Sequence, residues 1–147
     1  MLPTLDGYFY GLILNKQDVP GISNSGFHGG YSYFASVEFS FGSSPQNWPY
    51  ICTELKSSGL SCELSVGPGY NDVKIRPWNS VNTKERLDGG YLKDMWTRAT
   101  DAKADAISIT SYNEWGEGTQ IEPSIEYGTK YLDIVREMTK SSDNDEL

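Results

Sequence analysis

One histidine, two cysteines and no run of basic residues stand among the 147 residues of this chain. Each scarcity excludes something. Twelve Lys and Arg face twenty Asp and Glu, for a net charge of −8. A chain of that balance has no electrostatic footprint for a nucleic-acid backbone, so no nucleic-acid partner is expected. No stretch approaches the roughly 20 apolar residues of a membrane-spanning helix. The opening Met1-Leu2-Pro3-Thr4-Leu5-Asp6 has no basic region and is interrupted by an acid, so it does not read as a signal peptide. No clustered set of metal ligands and no phosphate-binding loop occurs, and neither a metal nor a cofactor is expected. Cys52 and Cys62 could close one bridge. Both lie among apolar neighbours, and the expectation is buried free thiols.

Length sets another bound. A full (β/α)8 barrel takes roughly 250 residues, and this chain has 147. What the chain does have is rings: four Trp and ten Tyr. Most are expected in a core or lining a barrel, because aromatic burial is energetically large. Some are free to present faces to a sugar.

Hydrophobic patterning divides the chain into strands and helices. Gly7–Leu14 and Phe27–Ala35 read as strands, with a Gly, Ser and Asn cluster between them at Gly21–Gly26. Ser44-Pro45 predicts a helix start with a hydroxyl cap and proline at the first helical position. That helix runs to about Ser58, where Gly59 stops it. Leu60–Val66 is a third strand, and Leu87–Ala102 a helix with Tyr91, Met95, Trp96 and Ala99 on one face. Asp105–Ser111 is a fourth strand. Tyr127–Lys140 is a last helix with Tyr131, Ile134, Val135 and Met138 inward. Short apolar strands separated by helices mean parallel pairing through βαβ crossovers. The fold class is α/β: about four parallel strands with intervening helices, the C-terminal half of a (β/α)8 TIM-type barrel. Residues 1–140 are expected to form this partial catalytic barrel, with its N-terminal half missing, and residues 141–147 an acidic flexible tail. That tail ends Asn144-Asp145-Glu146-Leu147, which is similar to an endoplasmic-reticulum retrieval signal and weakly favours the secretory pathway.

The chemistry concentrates after the fourth strand, in Tyr112-Asn-Glu-Trp-Gly-Glu-Gly-Thr-Gln-Ile-Glu-Pro123. Glu114 and Glu117 lie three residues apart on one short loop. Glycoside cleavage commonly uses two carboxyl groups, one protonated to help the leaving oxygen depart. Gly116 and Gly118 allow a tight turn that points both acids inward. Asn113 can orient a carboxylate or a sugar hydroxyl. The residues alone leave open whether one acid is a covalent nucleophile.

Three blocks carry a specific resemblance. The first is Asn113-Glu-Trp-Gly-Glu-Gly-Thr-Gln-Ile-Glu122, preceded by Ile107-Ser-Ile-Thr-Ser111. The second is Ser65-Val-Gly-Pro-Gly-Tyr70 followed by Ile75-Arg-Pro-Trp-Asn79. The third is Gly30-Tyr-Ser-Tyr-Phe-Ala35, continued by Gly42-Ser43 and Asn47-Trp48. In order and spacing they resemble glycoside hydrolase family 99, the endo-α-1,2-mannosidases and endo-α-1,2-mannanases, over about residues 25–125.

The resemblance implies a retaining endo-glycosidase acting on internal α-mannosyl linkages of a mannose-containing oligosaccharide, without a cofactor. It implies that Glu114 deprotonates the substrate's own 2-hydroxyl, giving a 1,2-anhydro sugar. It implies that Glu117 protonates the leaving oxygen in that same step and then activates the water that opens the anhydro sugar. It places Tyr33 near the reaction centre and Arg76 on the sugar, although Arg76 could instead pair with a loop acid such as Asp72. Tyr70, Trp78, Asn79, Asn113 and Trp115 are expected to line the cleft, and Glu122 to be structural. Two positions depart from the family: His28 stands where an acid is common, and Gly116 where histidine is frequent. Two other readings are a carbohydrate-binding remnant without catalysis and a related barrel glycosyltransferase. Intact Glu114 and Glu117 argue against the first, and the Gly118–Glu122 continuation against the second.

Overall fold

The computed structural model of the protein describes residues 7–33, 36–78 and 83–144. Four strands, β1 (Tyr10–Leu12), β2 (Gly29–Tyr31), β3 (Ser61–Val66) and β4 (Ala106–Ile109), form one sheet in the order β1-β2-β3-β4. Every pairing is parallel. The helices are α1 (Asp18–Ser23), α2 (Trp48–Ser57), α3 (Gly90–Asp101) and α4 (Lys130–Asn144). The expected α/β architecture of four parallel strands and crossover helices is therefore present.

Register explains the sidedness. Parallel partners point the same way, so Cys62, Leu64 and Val66 of β3 share a face with Gly30, Ile107 and Ile109. That face takes the helices. Leu64 and Val66 pack with Ile51 and Leu55 of α2 and with Leu92, Met95 and Ala99 of α3 in one core cluster. Tyr131 and Ile134 of α4 join it, which is the inward face predicted from spacing. The other face carries Tyr10, Leu12, Tyr31, Ser61, Glu63, Ser65 and Ser108, and Tyr10 and Leu12 are exposed.

Several elements differ from the expectation, each for a local reason. Helix α1 sits in the stretch expected to be a loop. It is six residues long and contains Pro20 and Gly21, too short to show a helical period. The Asp18 carboxylate accepts from the Leu14 and Asn15 amides at 2.8 and 2.7 Å, bracing its start. The first two strands are shorter than read, but pairing continues past them: the His28 amide donates to the Phe9 carbonyl and the Ile13 amide to that of Tyr31. Ser44 does precede a proline-led turn (Pro45–Asn47), yet its hydroxyl donates back to the Ser40 carbonyl at 2.8 Å and caps nothing. Residues 87–89 form a separate 3-10 turn ahead of α3, because Asp88 and Gly89 adopt positive φ. Helix α4 runs to Asn144, past the expected end at Lys140; Phe34, Ala35 and residues 145–147 lie outside the described residues.

Gly59 ends α2 as predicted. At φ +74° it occupies the left-handed position after the helix. Its amide donates to the Lys56 carbonyl and that of Leu60 to the Leu55 carbonyl, which completes a Schellman stop. Helix α3 ends with the same pair of bonds, Lys103 to Thr100 and Ala104 to Ala99, but with Lys103 at φ +61°.

The expected free thiols are not found: Cys52 and Cys62 form a disulfide. Helix α2 lies directly on β3, which brings the two Cα atoms to 5.2 Å. Apolar surroundings argued for burial, and burial is correct. They carried no information about the partner across the turn. A loop of this length contributes roughly 2–3 kcal/mol in the chain-entropy account.

Candidate active site

The two acids sit on the loop after β4. The chain leaves the sheet through Thr110 and Ser111 and folds back on itself. The Ser111 amide donates to the Thr119 carbonyl at 3.0 Å, and the Ile121 and Glu122 amides donate to Tyr112 at 3.0 and 2.8 Å. Residues 113–118 are thus the tip of a closed loop. Inside the tip, the Glu114 amide donates to Ser111 Oγ at 2.8 Å, and the Gly116 amide donates to Glu114 Oε1 at 3.1 Å. A Cβ on Gly116 would stand 3.0 Å from that carboxylate oxygen, so this glycine leaves Glu114 its place rather than supplying a special dihedral. Gly118 does supply one. Its φ is +63°, and a Cβ there would press on the Asn71 carbonyl at 3.0 Å. The Asn71 amide donates to the Glu117 carbonyl at 2.8 Å. The acid-bearing tip is therefore seated against the loop that follows β3.

That loop supplies the charges around Glu117. Arg76 Nη1 donates to Glu117 Oε1 at 2.9 Å and to Asp72 Oδ2 at 3.1 Å. The Tyr70 hydroxyl donates to the same Asp72 oxygen at 3.1 Å. Burial pushes the Tyr70 phenol up to about 12, with the Asp72 bond and then the Glu117 charge adding to it. Tyr70 thus remains a donor. The bonds from Glu117 and Asp72 hold the Arg76 guanidinium firmly protonated.

Hydroxyl groups tie the strand ends beneath the acids. The Ser65 amide donates to Ser32 Oγ at 2.8 Å, Ser65 and Thr110 hydroxyls meet at 2.7 Å, and the Thr110 hydroxyl donates to the Tyr33 carbonyl at 2.7 Å. A hydroxyl has one proton. Thr110 uses its own on Tyr33, so Ser65 is the donor between the pair. A second link runs from Ser111 to Thr119 at 2.8 Å. Behind the loop stands Arg86. Its Nη2 donates to the Gly118 and Gln120 carbonyls, both at 2.9 Å. Its guanidinium lies 4.6 and 4.5 Å from the ring centres of Tyr127 and Tyr131.

The remaining predicted residues fall as follows. Tyr33, just past β2, and Trp115 on the loop tip both present about half their surface. The Trp115 indole donates to Glu122 Oε2 at 2.8 Å, so Glu122 fixes that ring. Asn113 is exposed on the tip. Tyr70 is buried and turned to Asp72. Trp78 is 80% exposed, and Asn79 lies outside the described residues. Arg76 pairs with Asp72, as weighed above, and with Glu117 as well. A cavity of about 800 Å3 opens beside the tip, and its lining includes Tyr70, Ile75, Arg86, Trp115, Gly116 and Tyr127. Sequence reading missed Arg86 and the hydroxyl links, and treated Asp72 only as a possible partner for Arg76. The i, i+4 spacing of Asp72 and Arg76 was the available signal.

A parallel βα layer with two carboxyls on the loop after a strand's C-terminal end is the arrangement found at the rim of barrel-type glycoside hydrolases. The residues agree with a particular one. Residues 2–141 match the model of glycosyl hydrolase family 99, and the chain belongs to that family. Among curated relatives, it is 45% identical over 133 residues to the human glycoprotein endo-alpha-1,2-mannosidase-like protein, covering 88% of this chain and 29% of the relative. It is 44% identical over 131 residues to the rat glycoprotein endo-alpha-1,2-mannosidase, covering 87% and 28%. The GH99 endo-alpha-mannosidase from Bacteroides thetaiotaomicron superposes with a TM-score of 0.84 at 37% identity, over 95% of this chain and 49% of that one. The chain thus spans less than a third of the curated relatives and about half of the solved barrel.

Proposed function

We propose that the protein carrying this segment is a retaining endo-acting glycosidase that cleaves internal α-mannosyl linkages in oligosaccharides of N-glycan or mannan type. The observation that carries the reading is the loop after β4, with two carboxylates held in different ways. Glu114 accepts from the Gly116 amide, and Glu117 from Arg76. Two acids in unlike surroundings suit two different proton tasks.

In this reading Glu114 takes the proton from the substrate's 2-hydroxyl. The freed oxygen attacks the anomeric carbon as the glycosidic bond breaks, and Glu117 gives its proton to the departing oxygen. A 1,2-anhydro sugar results. The Glu117 carboxylate then takes a proton from water, the water oxygen adds to the anomeric carbon, and Glu114 returns its proton to O2. Two displacements at one carbon give retention. The half-exposed faces of Trp115 and Tyr33, with the exposed Trp78 and Asn113, form the sugar-contacting side. Tyr70 braces the loop from beneath, and Arg76 serves both Glu117 and the sugar. The other half of the barrel, supplied from outside these residues, closes the cleft.

Glu117→Gln in the full-length protein tests the assignment. Cleavage of an α-1,2-linked manno-oligosaccharide is expected to fall by at least about 10^3-fold, in the range of a lost acid–base group, with binding measured by calorimetry retained. Unchanged turnover would remove Glu117 from this role. Tight binding of a nucleoside diphosphate would instead favour a transferase.

A further inference from the structure

Asp72 is the only carboxylate among the described residues that is fully buried. A buried charge is costly unless it is paired and hydrogen-bonded. Asp72 receives Tyr70 and Arg76 on one oxygen. Arg76 in turn reaches Glu117 with the same nitrogen that serves Asp72. Two carboxylates therefore share one guanidinium. With Glu117 ionised the trio carries one excess negative charge. With Glu117 protonated, Asp72 and Arg76 balance each other.

We propose that Asp72 is a positioning residue for the acid–base step: it keeps the charge of Arg76 matched while Glu117 carries a proton, so that the guanidinium does not lock Glu117 as a carboxylate. This rests on Glu117 being the acid of the reading above. Without Asp72, Arg76 would have Glu117 as its sole charged partner, and departure of the proton would be favoured. Among the described residues, the groups that face Glu117 are few. From the loop after β3 they are Tyr70, Asp72 and Arg76, with Lys74 exposed on the same loop. On its own loop Glu114 is turned to the Gly116 amide. Arg86 is turned to the Gly118 and Gln120 carbonyls and lies against two tyrosine rings. Among the described residues, Arg76 is the one cation bonded to Glu117.

The test is the pH profile of kcat/KM for the full-length protein on an α-1,2-linked manno-oligosaccharide. Asp72→Asn keeps the side chain's shape and its acceptor for Tyr70. Its alkaline limb is expected to move to lower pH by roughly one unit, the size of a carboxylate–arginine effect, with kcat falling more than KM changes. Arg76→Gln is expected to move the same limb to higher pH. The double variant is expected to return it towards the parent position. A purely structural role for Asp72 would lower the amplitude and leave the limb where it is. If Asp72→Asn does not fold, Arg76→Gln alone decides, and an unmoved limb overturns the proposal. Glu117→Gln run beside them separates the two ideas. An inactive Glu117→Gln with unmoved limbs overturns the role of Asp72 alone, whereas an active Glu117→Gln overturns both.

Discussion

Arg86 shows how much one side chain can organise without touching a reacting atom. One nitrogen gathers two carbonyls of the acid-bearing loop, and the planar group lies against two tyrosines. A lysine offers a single, strongly hydrated nitrogen and no plane to stack. Arg86→Lys is expected to cost roughly 1–3 kcal/mol, the range for losing hydrogen bonds to a charged group together with a ring contact. Urea denaturation followed by tryptophan fluorescence would measure it, and a change under about 0.5 kcal/mol would show that the stack is ornamental. Arg86 was not legible in the sequence. An arginine in a polar stretch has no periodicity, and its partners are carbonyls, which every residue has. Glu114 and Glu117 stood out as candidates because two carboxyls, a tryptophan and two glycines fall within a few residues after a strand. Asp72 lies between these cases: its type and spacing were visible, but its complete burial was not.

At the scale of elements, α2 and α3 stop by the same geometry with different residues. Gly59 holds the left-handed position of one and Lys103 that of the other. A side chain in that conformation costs about 1 kcal/mol, and glycine avoids the cost. Lys103→Gly is therefore expected to stabilise the fold by about 0.5–1 kcal/mol, and Gly59→Ala to destabilise it by a similar amount. Thermal melts of the two variants in opposite directions would bear this out; a destabilised Lys103→Gly would show that the lysine side chain contributes more than its backbone costs. The end of α2 was readable from Gly59 alone. The start of α3 was not, because the break at residues 87–89 depends on the dihedrals of Asp88 and Gly89. Helix α1 was hidden by its proline and glycine, residues that ordinarily mark loops. Strand β4 was readable because it is β-branched and continuous, and β3 because its short run stops at Gly67-Pro68-Gly69, whereas β1 and β2 blur into flanks that pair beyond their ends.

For the whole molecule, the sheet has two unlike faces. One is covered by helices, and the other shows Tyr10 and Leu12 to solvent beside further exposed rings at Tyr8 and Phe9. Among the described residues, neither outer strand has a partner on its outer edge. Open edges and contiguous apolar surface favour association. The 147 residues expressed alone are expected to be poorly soluble or inactive, and to bind a hydrophobic dye strongly. Monodisperse, cooperatively unfolding material that cleaves an α-1,2-linked manno-oligosaccharide would refute this. The membership of the chain in a barrel family was legible from three motif blocks; the disulfide was not, since proximity across a turn is a property of packing. In a parallel sheet every strand starts at one end and finishes at the other. The two Schellman stops feed the starts of β3 and β4, and Glu114, Glu117, Asp72 and Arg76 all follow the finishes. Robustness and chemistry are thus drawn from opposite poles of the same layer. Either can be engineered, or drift through generations of variants, with little trespass on the other.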